Sequence, residues 1–359
     1  MKTKYISFIA ALLLILPLKS CYIHDDRDIV NDAEGNFDML WKICDEYYCY
    51  FDYKGIDWNS VYETYKPRVY NGMSDEELFN VCADMLAELK DGHVNLYNDY
   101  DGSKYWKWHE DYPENYSERI VLETYLKNDY HRKSGFVYKV LPKNIVPENI
   151  GYMHYDALTS VFSDDLLDHI LTQFKDCKGV IIDIRSNGGG SIINVNKLAC
   201  RFSKEEKVLC GYTLCKTGPG HNEFADTIPD YLEYKASALG NIKLDDDKET
   251  IKFLKDVVVL SNRGVYSAAN DFVRVMKVLD NVTVMGDRSG GGGGTPCNFD
   301  LPNGWYVRLS TSPMLDINKV HTEHGIDPTE GYKIDMAKDA HITGKDAILD
   351  EAIKFLSSK

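Results

Sequence analysis

The stretch DVVVLSNRGVYSAANDFV, residues 256–273, decides how the rest of the chain is read. Its apolar run Val257–Leu260 has the composition of a strand buried on both faces. Asn262, Arg263 and Gly264 supply a turn. From Ala268 the spacing predicts a helix, with Phe272, Val275, Met276 and Leu279 on one face. Ser267 stands where strand gives way to helix. Free backbone N–H groups and the positive end of the helix dipole meet there, and both favour a developing negative charge. A hydroxyl in that place is positioned to be a nucleophile. It is equally positioned to cap the helix, because serine is a favoured N-cap residue. The stretch alone leaves both roles open.

Working outward, the same grammar recurs. Ile150–Tyr155 reads as a short strand, Asp164–Phe174 as a helix, and GVIIDIR at 179–185 as a strand of the doubly covered kind ending in Ser186-Asn187-Gly188-Gly189-Gly190. A further helix begins near Ile192 and carries Ile193, Val195, Leu198 and Ala199. Helix, strand, glycine turn, helix is the order of an open α/β sheet, whose ligands bind beyond the carboxyl ends of the strands. The glycine turn does not fit a dinucleotide site, since GxGxxG counted from Gly188 needs glycine where Ile193 stands. Neither this run nor Gly290–Gly294 is followed by Lys-Ser or Lys-Thr, so no P-loop is present. Bare glycine N–H groups serve another purpose, the stabilisation of an oxyanion.

The N-terminal part reads differently. From Gly35 to Leu89 the spacing is helical, with Phe37, Leu40, Trp41, Cys44 and Tyr48 on one face and Leu78, Val81, Met85 and Leu86 on another. Ser74-Asp75-Glu76-Glu77 is an N-terminal cap with acids in the first turn. That helix runs out at Leu89-Lys90-Asp91-Gly92, and His93 follows the glycine stop, ahead of the alternating Val94–Tyr97. A tight turn can project a histidine towards another element, although a lone histidine is more often structural. From Asn98 to about Lys139 the chain is aromatic and polar; WKWHEDYPENY reads as a surface loop with stacked rings and a solvated His109.

Composition narrows the function. The formal charge is −15, which argues against nucleic acid as a partner. The nine cysteines show no CxxC pair and no zinc-ligand spacing, so neither a metal nor another cofactor is expected. A local Cys210–Cys215 disulfide stands as an open possibility in an oxidising compartment. Lys2 and Lys4 precede the apolar run Ile6–Leu16, and Leu18-Lys19-Ser20-Cys21 follows. A basic start, a short apolar core and a small residue before the break describe a secretory signal, too short to span a membrane. Its end resembles a lipobox of the Bacteroidetes type, with Asp25-Asp26 behind it resembling a surface-export tag. This implies a signal over 1–20, a lipidated Cys21 holding the chain to the cell envelope (outer membrane, cell surface or periplasmic face), and a tether over 21–34.

The ordered motifs IGYMHY, GVIIDIRSNGGG, VVVLSNRGVYSAANDF, VTVMGDRSGGGGG and HTEHGIDPTE resemble the successive core motifs of the tail-specific protease superfamily. That superfamily includes C-terminal-processing peptidases, the tricorn core protease and retinoid-binding relatives. The likeness runs from about Ile150 to Met336, and KDGHVNL extends it into the helical part. It implies a ClpP/crotonase-like α/β core over 140–359 with flanking helices, behind a small helical domain at 35–97 and an aromatic connection at 98–139. The span 98–150 is too short for the PDZ-like domain usual in the family. Substrate is therefore expected to be read by the cleft and by the Tyr105–Tyr116 segment.

The resemblance also implies roles. Ser267 corresponds to the nucleophile. The lysine base of the C-terminal-processing branch is absent, with Gly292 at its place. The tricorn-like branch instead implies His93 as base and Glu323 as its acid, though Gly92 stands where that branch has a serine before its histidine. Asn270 replaces the usual acid after the nucleophile. Neutral imidazole can take the hydroxyl proton and return it to the leaving amine, and a carboxylate such as Glu323 would fix its tautomer. The oxyanion donors expected are the N–H groups of Ala268 and of a glycine in 188–190, with Gly189 preferred. His324 and His221 are the rival bases. The expectation is a serine peptidase, endopeptidase or tail-specific, acting on peptide or protein. The alternatives are an inactive relative that binds peptide or an apolar ligand, and a glycan-binding lipoprotein. Oligomeric state is not legible.

Overall fold

The computed structural model describes residues 22–23, 30–233 and 250–359. The expected signal and Cys21 lie outside them, as do residues 24–29 of the expected tether. After a two-residue strand β1 (Tyr22–Ile23), the N-terminal part is helical: α1 (Ala33–Tyr47), α2 (Phe51–Lys54), α3 (Trp58–Tyr65) and α4 (Asp75–Ala87). Ser74 and Glu77 form a reciprocal capping box at the start of α4, each side chain bonding the other's backbone N–H. Then come β2 (Asn95–Tyr97), α5 (Lys107–Glu110), β3 (His131–Lys133), β4 (Phe136–Val140) and β5 (Ile150–Tyr155). The core continues with α6 (Asp164–Phe174), β6 (Gly179–Asp183), α7 (Ile192–Ala199), β7 (Lys207–Thr213) and β8 (Ile228–Glu233). The last third holds β9 (Asp256–Ser261), α8 (Ala268–Lys277), β10 (Val282–Gly286), β11 (Gly294–Asp300), β12 (Tyr306–Leu315) and α9 (Ala347–Ser357).

The strands form two sheets. One runs β10-β9-β6-β5-β4-β3, parallel from β10 to β5 and antiparallel beyond. Its central strands are buried on both faces, and their side chains divide by parity. Val180, Ile182, Val257 and Val259 face α6, α7 and α8, whereas Ile181, Val258 and Leu260 face α9. This is why β6 and β9 read as unbroken apolar runs. The second sheet runs β1-β11-β12-β7-β8, with β2 also paired to β12.

The helical N-terminal segment does not keep a core to itself. Phe37, Leu40, Leu78, Met85 and Leu86 pack in one cluster with Phe299, Trp305, Val307 and Leu309 of the second sheet. The aromatic connection also contains more structure than its composition suggests, because β3 and β4 extend the first sheet as a hairpin. Cys210 and Cys215 are both free, the first buried and the second half-exposed.

β6 and β9 are neighbours, so their carboxyl ends lie side by side. The 186–190 turn follows one and the 262–267 turn the other. The glycine run after β10 closes the third side. Between them they enclose Ser267.

Candidate active site

Ser267 is held by backbone. Tyr266 N–H donates to Asn187 O at 3.0 Å, Ser267 N–H to Gly291 O at 2.9 Å, and Gly290 N–H to Val265 O at 2.7 Å. The turn is thus stitched to both flanking glycine segments. Ser267 itself has φ 56° and ψ −124°, a region disfavoured for residues with a Cβ. Its side chain makes no capping bond to α8. Instead Oγ lies 2.9 Å from His93 Nε2. The capping alternative is therefore not the one adopted, and the hydroxyl is turned out of the helix towards an imidazole.

His93 arrives from the opposite side of the molecule. Its ring is 3 % exposed and sits beside Tyr266, with ring centroids 5.0 Å apart. Its own backbone N–H donates to Asp91 Oδ1 at 2.8 Å. Burial, abetted by the positive charges of Arg308 and Lys54 and opposed by Asp91, brings its pKa down to about 4. The ring is therefore neutral at physiological pH, the form a general base requires. Nδ1 is buried without a well-formed hydrogen bond, the backbone of Gly294 being the group beside it.

Glu323 corrects one expectation. It is buried near the site, but its carboxylate does not bond to His93: Oε1 accepts from Lys54 Nζ at 2.7 Å and Oε2 from Gly293 N–H at 3.0 Å. The reason is Lys54, at the end of α2. Its side chain, 5 % exposed, reaches Glu323, the carbonyls of Leu89 and Lys90 at 3.2 Å each, and lies 3.7 Å from Asp91 Oδ2. Two buried carboxylates thus share one ammonium, and the surplus charge falls on Glu323. Burial and the charge of Asp91 push its carboxyl up to about 7 against the pull of Lys54. Asp91 keeps its charge, stabilised by Lys54, by the His93 N–H and by Tyr48, whose hydroxyl donates at 3.1 Å.

Gly189 lies against the nucleophile turn. A Cβ there would lie 2.6 Å from Tyr266 O and 2.9 Å from both Ala268 N and Ser267 Cβ, so only glycine admits this approach. Its N–H, however, donates to Asn187 Oδ1 at 2.9 Å and is engaged inside its own turn. The Ala268 N–H is the first of α8, one of the donors that helical bonding leaves over.

The Tyr266 ring leaves no room for a side chain at Gly92 or at Gly292. A side chain at Gly92 would meet Trp108 Nε1 at 2.7 Å and Tyr266 Oη at 2.8 Å. One at Gly292, where φ is also +74°, would meet the same ring at 2.5 Å. Trp108 stacks on Tyr266 with centroids 4.0 Å apart, completing the filling. Asn270 bonds Thr322 O and accepts from the Ser289 hydroxyl, a structural bridge behind the turn.

The two rival bases are engaged elsewhere. His324 stacks on Tyr53, and His221 pairs with Asp45 and stacks on Phe51. His109, expected in solvent, is half-buried, lines the cleft and packs on Trp106 and Trp108. That cleft measures about 930 Å³. Ser267, His93 and Gly188–Gly190 line it on one side and the 104–114 segment on another. Nothing in the spacing of Lys54, Tyr266 or Arg308 marks them in the sequence, whereas Trp108 belongs to the Tyr105–Tyr116 segment expected to read substrate. Asp91 was in view beside His93 but without a partner to give it meaning.

A strained serine at the carboxyl end of a parallel sheet, bonded to a neutral buried histidine, defines a serine-hydrolase geometry. The family profile of peptidase family S41 matches residues 149–331, and that of the tricorn protease C1 domain matches residues 30–87. A crystallised candidate peptidase from Parabacteroides merdae ATCC 43184 is 43% identical, with a TM-score of 0.80 over 91% of this chain and 97% of that one. The chain belongs to peptidase family S41 and is of the serine type. More distant structures share the fold. Mature CPAF bound to lactacystin is 13% identical, with a TM-score of 0.64 over 91% of this chain and 99% of that one. The tricorn protease is 16% identical, with a TM-score of 0.53 over 91% of this chain and 37% of its own.

Proposed function

We propose that this chain cleaves peptide bonds through an acyl-enzyme formed on Ser267. His93 Nε2 takes the Oγ proton as Oγ attacks the scissile carbonyl carbon. The imidazolium then returns that proton to the leaving amine as the C–N bond breaks. Water, deprotonated by the same nitrogen, attacks the ester carbonyl; the acyl C–Oγ bond breaks, the imidazolium returns its proton to Ser267 Oγ, and the acid leaves. The carbonyl oxygen takes up negative charge at the Ala268 N–H, joined by Gly189 N–H once it leaves Asn187. Glu323 acts at one remove, through Lys54 and the Asp91 turn, and not by binding the imidazole. The observation that carries this reading is the 2.9 Å contact between Ser267 Oγ and His93 Nε2, made by a serine that declines to cap its helix.

Labelling with a fluorophosphonate probe tests it. Wild type should label, and Ser267→Ala and His93→Ala should not. A folded wild type that stays unlabelled would favour the second reading, an inactive peptide-binding relative. The feature favouring that second reading is Nδ1, which no carboxylate supports. We further propose attachment to the cell envelope through a lipidated Cys21, supported by the leader pattern alone. Metabolic labelling with palmitate, lost in Cys21→Ser, checks it.

A further inference from the structure

Nine arginines lie among the described residues, and eight of them reach a carboxylate: Arg68, Arg119, Arg132, Arg185, Arg201, Arg263, Arg274 and Arg288. Arg308 has no such partner among the described residues. With 56 acidic against 41 basic residues in the chain, an unmatched guanidinium is unexpected. It is also half-buried, where an uncompensated charge is costly.

Its place explains what it waits for. Arg308 lies on β12 directly opposite Asn95 of β2, two residues beyond His93, and both side chains line the cleft that holds Ser267. Strand pairing fixes its Cα, and the stacked rings of Tyr97 and Tyr306, with centroids 4.9 Å apart, stand beside it on the same two strands. A guanidinium carried on rigid backbone is suited to bidentate binding of a planar anion. The other cations of the cleft are differently employed: Arg263 is held by Asp287 and lies over Tyr112, and Lys104 lies exposed over Trp106. Arg308, His93 and Ser267 line one cleft, and the charge of Arg308 contributes to the lowered pKa of His93.

The geometry points to Arg308 as a specificity subsite that takes a carboxylate of the bound peptide close to the scissile bond. Either an acidic side chain or the free C-terminal carboxylate supplies that chemistry. The inference rests on the peptidase reading for its substrate class, and its test separates the two.

Matched fluorogenic peptides would carry Glu or Gln at each position flanking the bond, each with a free or amidated C-terminus. Their kcat/KM would be measured on wild type, Arg308→Gln and Arg308→Lys. Wild type should prefer one carboxylate-bearing form by about ten- to a hundredfold, the size of a charge-assisted hydrogen bond. Arg308→Gln should remove that preference and Arg308→Lys retain part of it. The arm in which the preference collapses, side chain or terminus, identifies the source. The Kd of the same peptides would be measured in Ser267→Ala with and without Arg308→Gln. A carboxylate preference in Kd that Arg308→Gln removes, without turnover of any peptide in the wild type, would sink the catalytic reading and keep the subsite. Equal handling of acidic and neutral peptides, or a preference unchanged in Arg308→Gln, overturns the subsite.

Discussion

The two sides of the site are built by different means. The Ser267 turn is held by backbone bonds between neighbouring segments of one sheet, from Asn187 O, Gly291 O and Val265 O. The His93 turn is held by side chains brought from far apart: Lys54, Asp91 and Glu323, the first and the last separated by 269 positions in the chain. Backbone stitching depends little on any one side chain. A charge cluster depends on every member. The nucleophile turn should therefore tolerate change, and the base turn should not.

Lys54→Met is the harshest test of that contrast. It leaves Asp91 and Glu323 buried without their shared cation, and should cost about 3–5 kcal/mol of stability. Thermal unfolding would show it as a lowered Tm, partly recovered by Glu323→Leu in the same chain. A Tm unchanged by Lys54→Met would mean that the cluster does not hold the base turn.

Next comes pH. With its pKa down at about 4 against an ordinary 6.5, His93 remains neutral in the fold while the unfolded chain takes up a proton. Stability is then lost as pH falls from about 6.5 to about 4, on the order of 3 kcal/mol from this group. Glu323 runs the other way. Its raised pKa gives a contribution that is present below about 4.5 and lost as pH rises through about 7. The acid limb of kcat/KM should fall near 4 and not near 6.5. An activity half-lost at 6.5 would show that the histidine is wetter than its burial implies.

The smallest effect sharpens the other side. Ser267→Gly keeps every backbone bond of the nucleophile turn and relieves a disfavoured φ, so it should abolish turnover while raising stability by roughly 1 kcal/mol. Urea denaturation reads the difference directly. Destabilisation would mean that the serine side chain, and not the stitching, holds the turn.

The same contrast explains what could be read in advance. β6, β9 and α8 announce themselves through local spacing, and so does the joint at Ser267. His93 was marked by its position after Gly92. Glu323 was found by likeness, yet its partner was not, because Lys54 lies in a short helix, FDYK, whose pattern says nothing about a contact with residue 323. Arg308 alternates on a strand like any exposed cation, and only the pairing of β12 with β2 sets it beside His93. His109 is expected in solvent because loop composition does not reveal which rings fold inward.

The Tyr266 ring has a consequence for how such a site can change over generations. It occupies the space facing both Gly92 and Gly292, the positions for which the family resemblance implies a serine and a lysine. Either side chain, introduced singly, collides with an aromatic ring packed under Trp108. Shrinking Tyr266 first opens a void beneath the nucleophile and removes a neighbour of His93. Neither side chain can therefore be accommodated until the Tyr266 ring moves.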